Sequence, residues 1–221
     1  MPLTELYNSQ VLALVGAWLF YFLIHSLLAS LRVKRLIAAH WPGVMPVYRL
    51  LFNLGALLLL APPIYFTFQL KGPWLWRWSD TIGWFTDGLA LISVALFYWT
   101  SRYYDSSEFI GLKQWRKRFV VVEDQERFHL SPLHRFVRQP WYLLALVFIW
   151  SRDMTPALLV TALLATLYFW LGSRLEEYKL IIYHGDVYCR YRERVPGLLP
   201  RPWRYLSRED AEELQRYANS R

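Results

Sequence analysis

The chain has 221 residues, 55% of them hydrophobic and 18% aromatic, with a net charge of +8 and a mean hydropathy of +0.17. That is too apolar for an ordinary soluble domain of this size, and uncharged spans joined by basic connecting segments account for both properties. The single cysteine, Cys189, excludes an intramolecular disulfide and any site built from several thiolates.

The first apolar run, 11–30, carries no charge and is long enough to cross a hydrocarbon core of about 30 Å. No basic segment precedes it, and Arg32, Lys34 and Arg35 follow it, so it is expected to be a retained span rather than a cleaved signal. Segment 31–41 sets those cations among Leu, Val, Ile and Ala and predicts a basic amphipathic helix in the headgroup region. Span two, 48–70, contains Pro62-Pro63, which should kink or end the helix. Trp74, Trp76, Trp78 and Trp84 then form an interfacial aromatic belt before span three, 83–100.

Span four, 138–152, has a short apolar run at 140–150 and needs the residues before Pro140 to help it cross. Only Ser151-Arg152-Asp153 separates it from span five, 154–178, so the two predict a tight antiparallel hairpin. Span five meets no breaker until about Tyr183. After Pro202 the tail is polar, and Ser207 ahead of Asp210 predicts a capping box on a short surface helix. The expected fold is all-α: one membrane domain, 1–221, of about five transmembrane helices, with a loop at 101–137 and a tail at 179–221.

Five spans divide the 25 Lys and Arg residues into 22 on one side and three on the other. Positive charge marks the cytoplasmic side, so the N-terminus is expected outside and the C-terminus in the cytoplasm, most simply in a bacterial inner membrane. A nucleic-acid surface is not expected, because the cations follow membrane topology instead of forming one face. No glycine-rich phosphate loop, HExxH or CxxC is present.

The chemistry-bearing residues bracket the hairpin. Arg135 and Arg138 are three apart and would share a face on a helix. Arg138-Gln139-Pro140-Trp141-Tyr142 opens span four, and Arg174, Glu176 and Glu177 lie near the end of span five. The same topology brings Arg138 to the Glu pair. Ionisable groups in membrane segments are costly and usually functional. Two readings are open. Arginines and glutamates could anchor the helices against lipid phosphate. Alternatively, they could hold a ligand with both an anionic and a cationic group, Arg138 taking a carboxylate bidentately and the glutamates an ammonium or sulfonium.

Segment 131–200 resembles the C-terminal half of the isoprenylcysteine carboxyl methyltransferase family and its bacterial relatives. The family pattern is R-[HN]-P-x-Y, a transmembrane hairpin, a Glu pair, G-x-x-Y-x-x-Y and V-P-x-x-x-P. It is matched here by Arg138, Pro140, Tyr142, Glu176, Glu177, Gly185, Tyr188, Tyr191, Val195, Pro196 and Pro200. The resemblance implies a membrane methyltransferase using S-adenosylmethionine. His134, Arg135, Arg138, Gln139, Pro140, Tyr142, Glu176, Glu177 and Tyr188 would form the cofactor site, with Glu176, Glu177 and Arg174 nearest the chemistry. No metal would be needed. The acceptor is expected to be lipophilic or a small thiol or carboxylate. Asp105 and Glu108 end the third span on the same face and, with His25 and Asn53, are candidates for its side; a solvated acidic turn is the other reading of Asp105 and Glu108. Membrane lipids are the expected surroundings, and oligomeric state is left open.

Two positions depart from the pattern. Gln139 replaces the usual His or Asn and cannot titrate. His134 stands near an expected Tyr, as a cofactor contact, a proton acceptor or a surface histidine.

In the first half, His25-Ser26-Leu27-Leu28-Ala29-Ser30 and Tyr48-Arg49-Leu50-Leu51-Phe52-Asn53 resemble the NnrU group and the related methanethiol S-methyltransferases. In a haem-containing relative, the zeta-carotene isomerase, the matching histidine is implicated as a haem ligand, so haem b through His25 is an alternative. The other reading of His25 is a hydrogen bond inside the bundle, to Asn53 or a serine. An NADPH-dependent membrane reductase is the third alternative, because such reductases share the hairpin.

Overall fold

A computed structural model describes residues 3–70, 72–118 and 128–219, with side chains from residue 9 onward. Part of the expected loop 101–137, residues 119–127, lies outside the described residues. Among those described, the chain is helical with no strand, only two isolated bridges, Trp76 to Met154 and Arg201 to Arg204. The helices are α1 (Leu3–Ala29), α2 (Leu31–His40), α3 (Met45–Gln69), α4 (Asp80–Ser101), α5 (Ser106–Ile110), α6 (Leu112–Lys117), α7 (Pro140–Trp150), α8 (Pro156–His184), α9 (Asp186–Arg194) and α10 (Arg208–Asn219). Four helical segments, at Ser9–Ala29, Pro42–Gln69, Asp80–Ser101 and Pro156–His184, are long and apolar enough to cross a membrane.

The chain divides into two compact units. The first holds Met1–Arg77, Tyr104–Asp124 and Asp153–Leu164. The second holds Trp78–Tyr103, Gln125–Arg152 and Ala165–Arg221.

In the first unit α1 packs on α3. Leu14, Trp18 and Ala157 form a buried cluster, with Tyr21, Phe22 and Phe66 against it. Polar atoms inside this apolar layer are chained together. Trp18 Nε1 donates to Thr161 Oγ1 (3.0 Å), Thr161 and Thr67 share a hydroxyl contact of 2.8 Å, and Thr67 Oγ1 reaches Pro63 O (2.7 Å). A hydroxyl unpaired at that depth would cost far more than the net value of its bond.

Pro62 and Pro63 do not end α3, which runs unbroken to Gln69. Each proline removes only the bond to the carbonyl four residues back, a loss that apolar spans tolerate when packing holds the helix. α2 starts at an N-cap, where Ser30 Oγ accepts from Val33 N (3.3 Å). Gly111 joins α5 to α6 with φ +100, and a Cβ there would lie 2.9 Å from both Arg49 Cβ and Leu50 N. Only glycine suits both the backbone angle and that approach.

In the second unit α4 packs on α7, and Trp141 Nε1 donates to Thr100 Oγ1 (3.0 Å). Within this unit α7 runs antiparallel to the later turns of α8. Trp150 Nε1 meets Thr166 Oγ1 (3.0 Å) near the hairpin tip, and Tyr142 stacks on Phe169 with centroids 4.9 Å apart.

The expected span 138–152 is helical over part of its length. Only the 11 residues Pro140–Trp150 are helical, a rise of about 16 Å against a core of about 30 Å. Pro140 sets the helix start, and the chain before it is tied down instead of continuing the helix.

The tail builds its own core from Phe128, Leu130, Val187, Tyr188, Tyr191, Val195, Leu206 and Ala211. The capping box forms: Asp210 N donates to Ser207 Oγ (3.0 Å) and Ser207 N to Asp210 Oδ2 (3.3 Å).

Candidate functional site

The second unit gathers most of the charged residues singled out by the sequence. Gly185, at φ 52 and ψ −130, breaks the run from α8 into α9 and turns Tyr188 and Tyr191 inward. Beyond α9, Val195-Pro196-Gly197 passes beneath the start of α7. Arg138 N donates to Pro196 O (2.9 Å) and Gly197 O (3.0 Å), and Gln139 N to Gly197 O (3.1 Å). These bonds satisfy amides that a helix beginning at Pro140 leaves without partners.

Arg138 lies at the centre. Its Nε and Nη2 both donate to one oxygen of Glu177, Oε1, at 3.0 and 2.5 Å. Its Nη1 donates to Arg192 O (3.0 Å) and to Val195 O. Both side chains of the pair are almost buried, 10% and 11% exposed. With four donor bonds in use, the guanidinium cannot also clamp a carboxylate bidentately, which corrects the expected role of Arg138.

The pairing is one-sided. Glu177 Oε2 takes no hydrogen bond among the described residues. The buried Tyr188 hydroxyl lies close to the Arg138 guanidinium but makes no hydrogen bond of regular geometry among the described residues. Burial, then the Glu177 charge, pushes the Tyr188 phenol well up, so it stays neutral and can donate. Glu176 Oε2 accepts from Tyr142 Oη at 3.1 Å. The region thus sets two carboxyl groups, of buried Glu177 and part-exposed Glu176, beside one guanidinium.

The other expected residues lie as follows. Gln139 is buried and caps α7 without a side-chain bond, and Pro140 is the first residue of α7. Arg135 and Arg138 do not share a helical face, because the 3-10 turn Pro132–Arg135 ends before Arg138. Arg135 Nε instead donates to Leu206 O (3.0 Å) and ties down the tail. Arg174 is exposed and lies over the Trp170 ring at 5.2 Å. His134 is part-buried, not a surface residue. Its Nδ1 bonds Ser131 Oγ (2.8 Å), its carbonyl accepts from Tyr191 Oη (2.7 Å), and burial pushes its imidazole down to about 4.

The residues expected on the acceptor side belong to the first unit. Asn53 Nδ2 donates to Phe109 O and Ile110 O, closing the end of α5, so the expected His25–Asn53 bond is replaced. His25 packs against Phe52 and Tyr21, with centroids 5.1 and 5.5 Å away. Asp105 caps α5, and Glu108 pairs with Lys113 at 2.6 Å.

Sequence reasoning missed Gly197, where a Cβ would meet Arg138 Nη2 at 3.3 Å and Glu177 Oε1 at 3.5 Å. A glycine between Pro196 and Pro200 was the available signal. Phe169, the platform under Tyr142, carried none.

The chain is similar to three methanethiol S-methyltransferases. It is 34% identical over 142 residues to methanethiol S-methyltransferase 1 of Bradyrhizobium diazoefficiens, covering 59% of this chain and 49% of that protein. It is 30% identical over 147 residues to the enzyme of a Pseudomonas species, covering 64% and 52%. It is 32% identical over 193 residues to methanethiol S-methyltransferase 2 of B. diazoefficiens, covering 80% and 68%. In the first two matches the chain spans about half the length of its relative. No family model matches the chain, and no solved structure matches it.

Proposed function

Because this chain belongs to the methanethiol S-methyltransferase family, we propose that it is a membrane methyltransferase that takes its methyl group from S-adenosylmethionine at the Arg138–Glu177 site. One observation carries the reading: Glu177 Oε2 and the Tyr188 hydroxyl make no regular hydrogen bond among the described residues, beside a buried ion pair. A buried phenol without a partner is costly unless something else meets it. The excess of carboxyl groups over guanidinium suits a ligand bearing a sulfonium and an ammonium, and the Tyr188 O–H supplies a donor for its carboxylate.

When bound, the cofactor supplies an electrophilic methyl group. The chain's own work is positioning and exclusion of water. Arg138 holds the Glu177 carboxylate in one orientation, so its second oxygen keeps a fixed direction. Tyr142, stacked on Phe169, fixes Glu176 in the same way. The proposed acceptor is a small thiol or another soft nucleophile, lipophilic enough to enter from the bilayer. The names of the relatives favour the thiol.

Calorimetric titration of the detergent-purified chain with S-adenosylhomocysteine tests the reading. Saturable binding is expected. Tyr188→Phe should weaken it about fivefold while leaving the melting temperature unchanged or raised, since an unsatisfied buried hydroxyl is removed. Glu176→Gln should also weaken it. No heat from folded wild-type protein, or equal affinity in Tyr188→Phe, overturns the assignment.

A further inference from the structure

The first unit carries a groove that methyl transfer does not use. It has a volume of about 480 Å³ and is lined by Pro42, Gly43, Pro46, Val47, Trp115 and Arg118. It lies where the apolar segment Pro42–Gln69 begins, at the end of a helix long enough to cross a membrane.

Its surroundings are strongly basic. Segments 31–49 and 111–118 hold eight Lys and Arg residues and no carboxylate. Of these, Lys113 is paired with Asp105 and Glu108. Trp41 and Trp115 are more than half exposed beside the charges. Rings with one apolar face and one N–H belong at the headgroup level of a bilayer.

Arg118 itself is unusual. It ends α6 at φ 50 and ψ 41, the left-handed region that Gly or Asn adopts more easily. Besides Asp80 it is the only non-glycine residue with positive φ among those described. A cation kept in an unfavourable backbone state, on the wall of a groove, points to a use for its side chain.

We propose that this groove binds the phosphate-bearing headgroup of an anionic phospholipid. Arg118 takes the phosphate, Trp115 packs on the glycerol region, and the exposed cations of α2 and α6 supply the surrounding field. A lipid fits better than a soluble anion because a cation, an exposed indole and the start of an apolar helix line the same groove. This inference does not depend on the methyltransferase reading.

The test is native mass spectrometry of the full chain in detergent, titrated with phosphatidylglycerol or phosphatidylcholine. Phosphatidylglycerol should bind preferentially. Arg118→Gly removes the guanidinium while suiting the backbone angle, so it should melt at or above the wild-type temperature. It should bind phosphatidylglycerol about fivefold more weakly, the loss expected for one cation near a lipid surface. Arg216→Ala, an equal charge loss on α10, should bind as wild type. Should Arg118→Gly fail to fold, Trp115→Leu carries the same test, with a loss of about threefold expected. Unchanged binding in the groove variant, or equal losses in Arg118→Gly and Arg216→Ala, overturns the proposal. Displacement of the lipid by inorganic phosphate at equal concentration reassigns the groove to a soluble anion and overturns it too.

Discussion

Single side chains in the second unit do two kinds of work. Arg138 and Glu177 form a buried pair whose desolvation is offset by further bonds to backbone carbonyls, the condition under which such pairs persist. His134 is a different case. It is held neutral by burial, and its value of about 4 lies below that of an unfolded histidine, about 6.5. The unfolded chain therefore binds more protons across that interval. His134 contributes its full stability above about pH 6.5, and the contribution is lost as pH falls toward 4. Thermal melting should show a declining midpoint across that window. His134→Asn, which keeps a hydrogen-bonding partner for Ser131 but cannot titrate there, should flatten the decline. An unchanged slope in the variant would assign the effect to other groups.

At the scale of elements, breaks and starts matter more than propensity. α3 passes through two consecutive prolines, whereas α7 is fixed at its start by one. The difference lies in what surrounds them. Pro62 and Pro63 sit in an apolar helix whose partners include the Trp18–Thr161–Thr67 chain. Pro140 follows two residues already bonded to the tail. The α5–α6 corner is the tightest junction. Gly111→Ala would force a methyl group within 2.9 Å of Arg49 and Leu50 at φ +100. The combined clash and backbone strain should cost about 2–4 kcal/mol, read as a lowered denaturation midpoint of the detergent-solubilised chain. A loss below about 0.5 kcal/mol would mean that the corner opens freely.

For the molecule as a whole, hydropathy and charge made most of the architecture legible. Uncharged runs gave four of the helices able to span a membrane, because lipid-facing backbone must be satisfied within its own segment. The hairpin, its junction with Arg138 and the C-terminal capping box were also readable, since each follows from local spacing. What sequence could not show was which bonds each side chain chooses. Arg138 looked free to bind a ligand and instead has four of its five N–H groups engaged, while Asn53 looked like a partner for His25 and instead closes α5. Tertiary partners decide such roles, and no local pattern encodes them.

The charge asymmetry also yields an orientation test. We expect the tail to face the cytoplasm. A chain with Cys189→Ser and Arg201→Cys should react with a membrane-impermeant maleimide only after cells are permeabilised. Labelling of intact cells would reverse the orientation.

The tail's hold on Arg138 has a consequence for how this region can change over time. Arg192 and Val195 grip the guanidinium through main-chain oxygens, and Pro196 and Gly197 accept the neighbouring amides in the same way. A carbonyl is indifferent to the side chain it belongs to, so exposed Arg192 is free to drift. Length is not. Deleting one residue between 192 and 197 would displace those oxygens by about 3.5 Å, farther than a hydrogen bond can stretch. Spacing in this segment is therefore under tighter constraint than spelling.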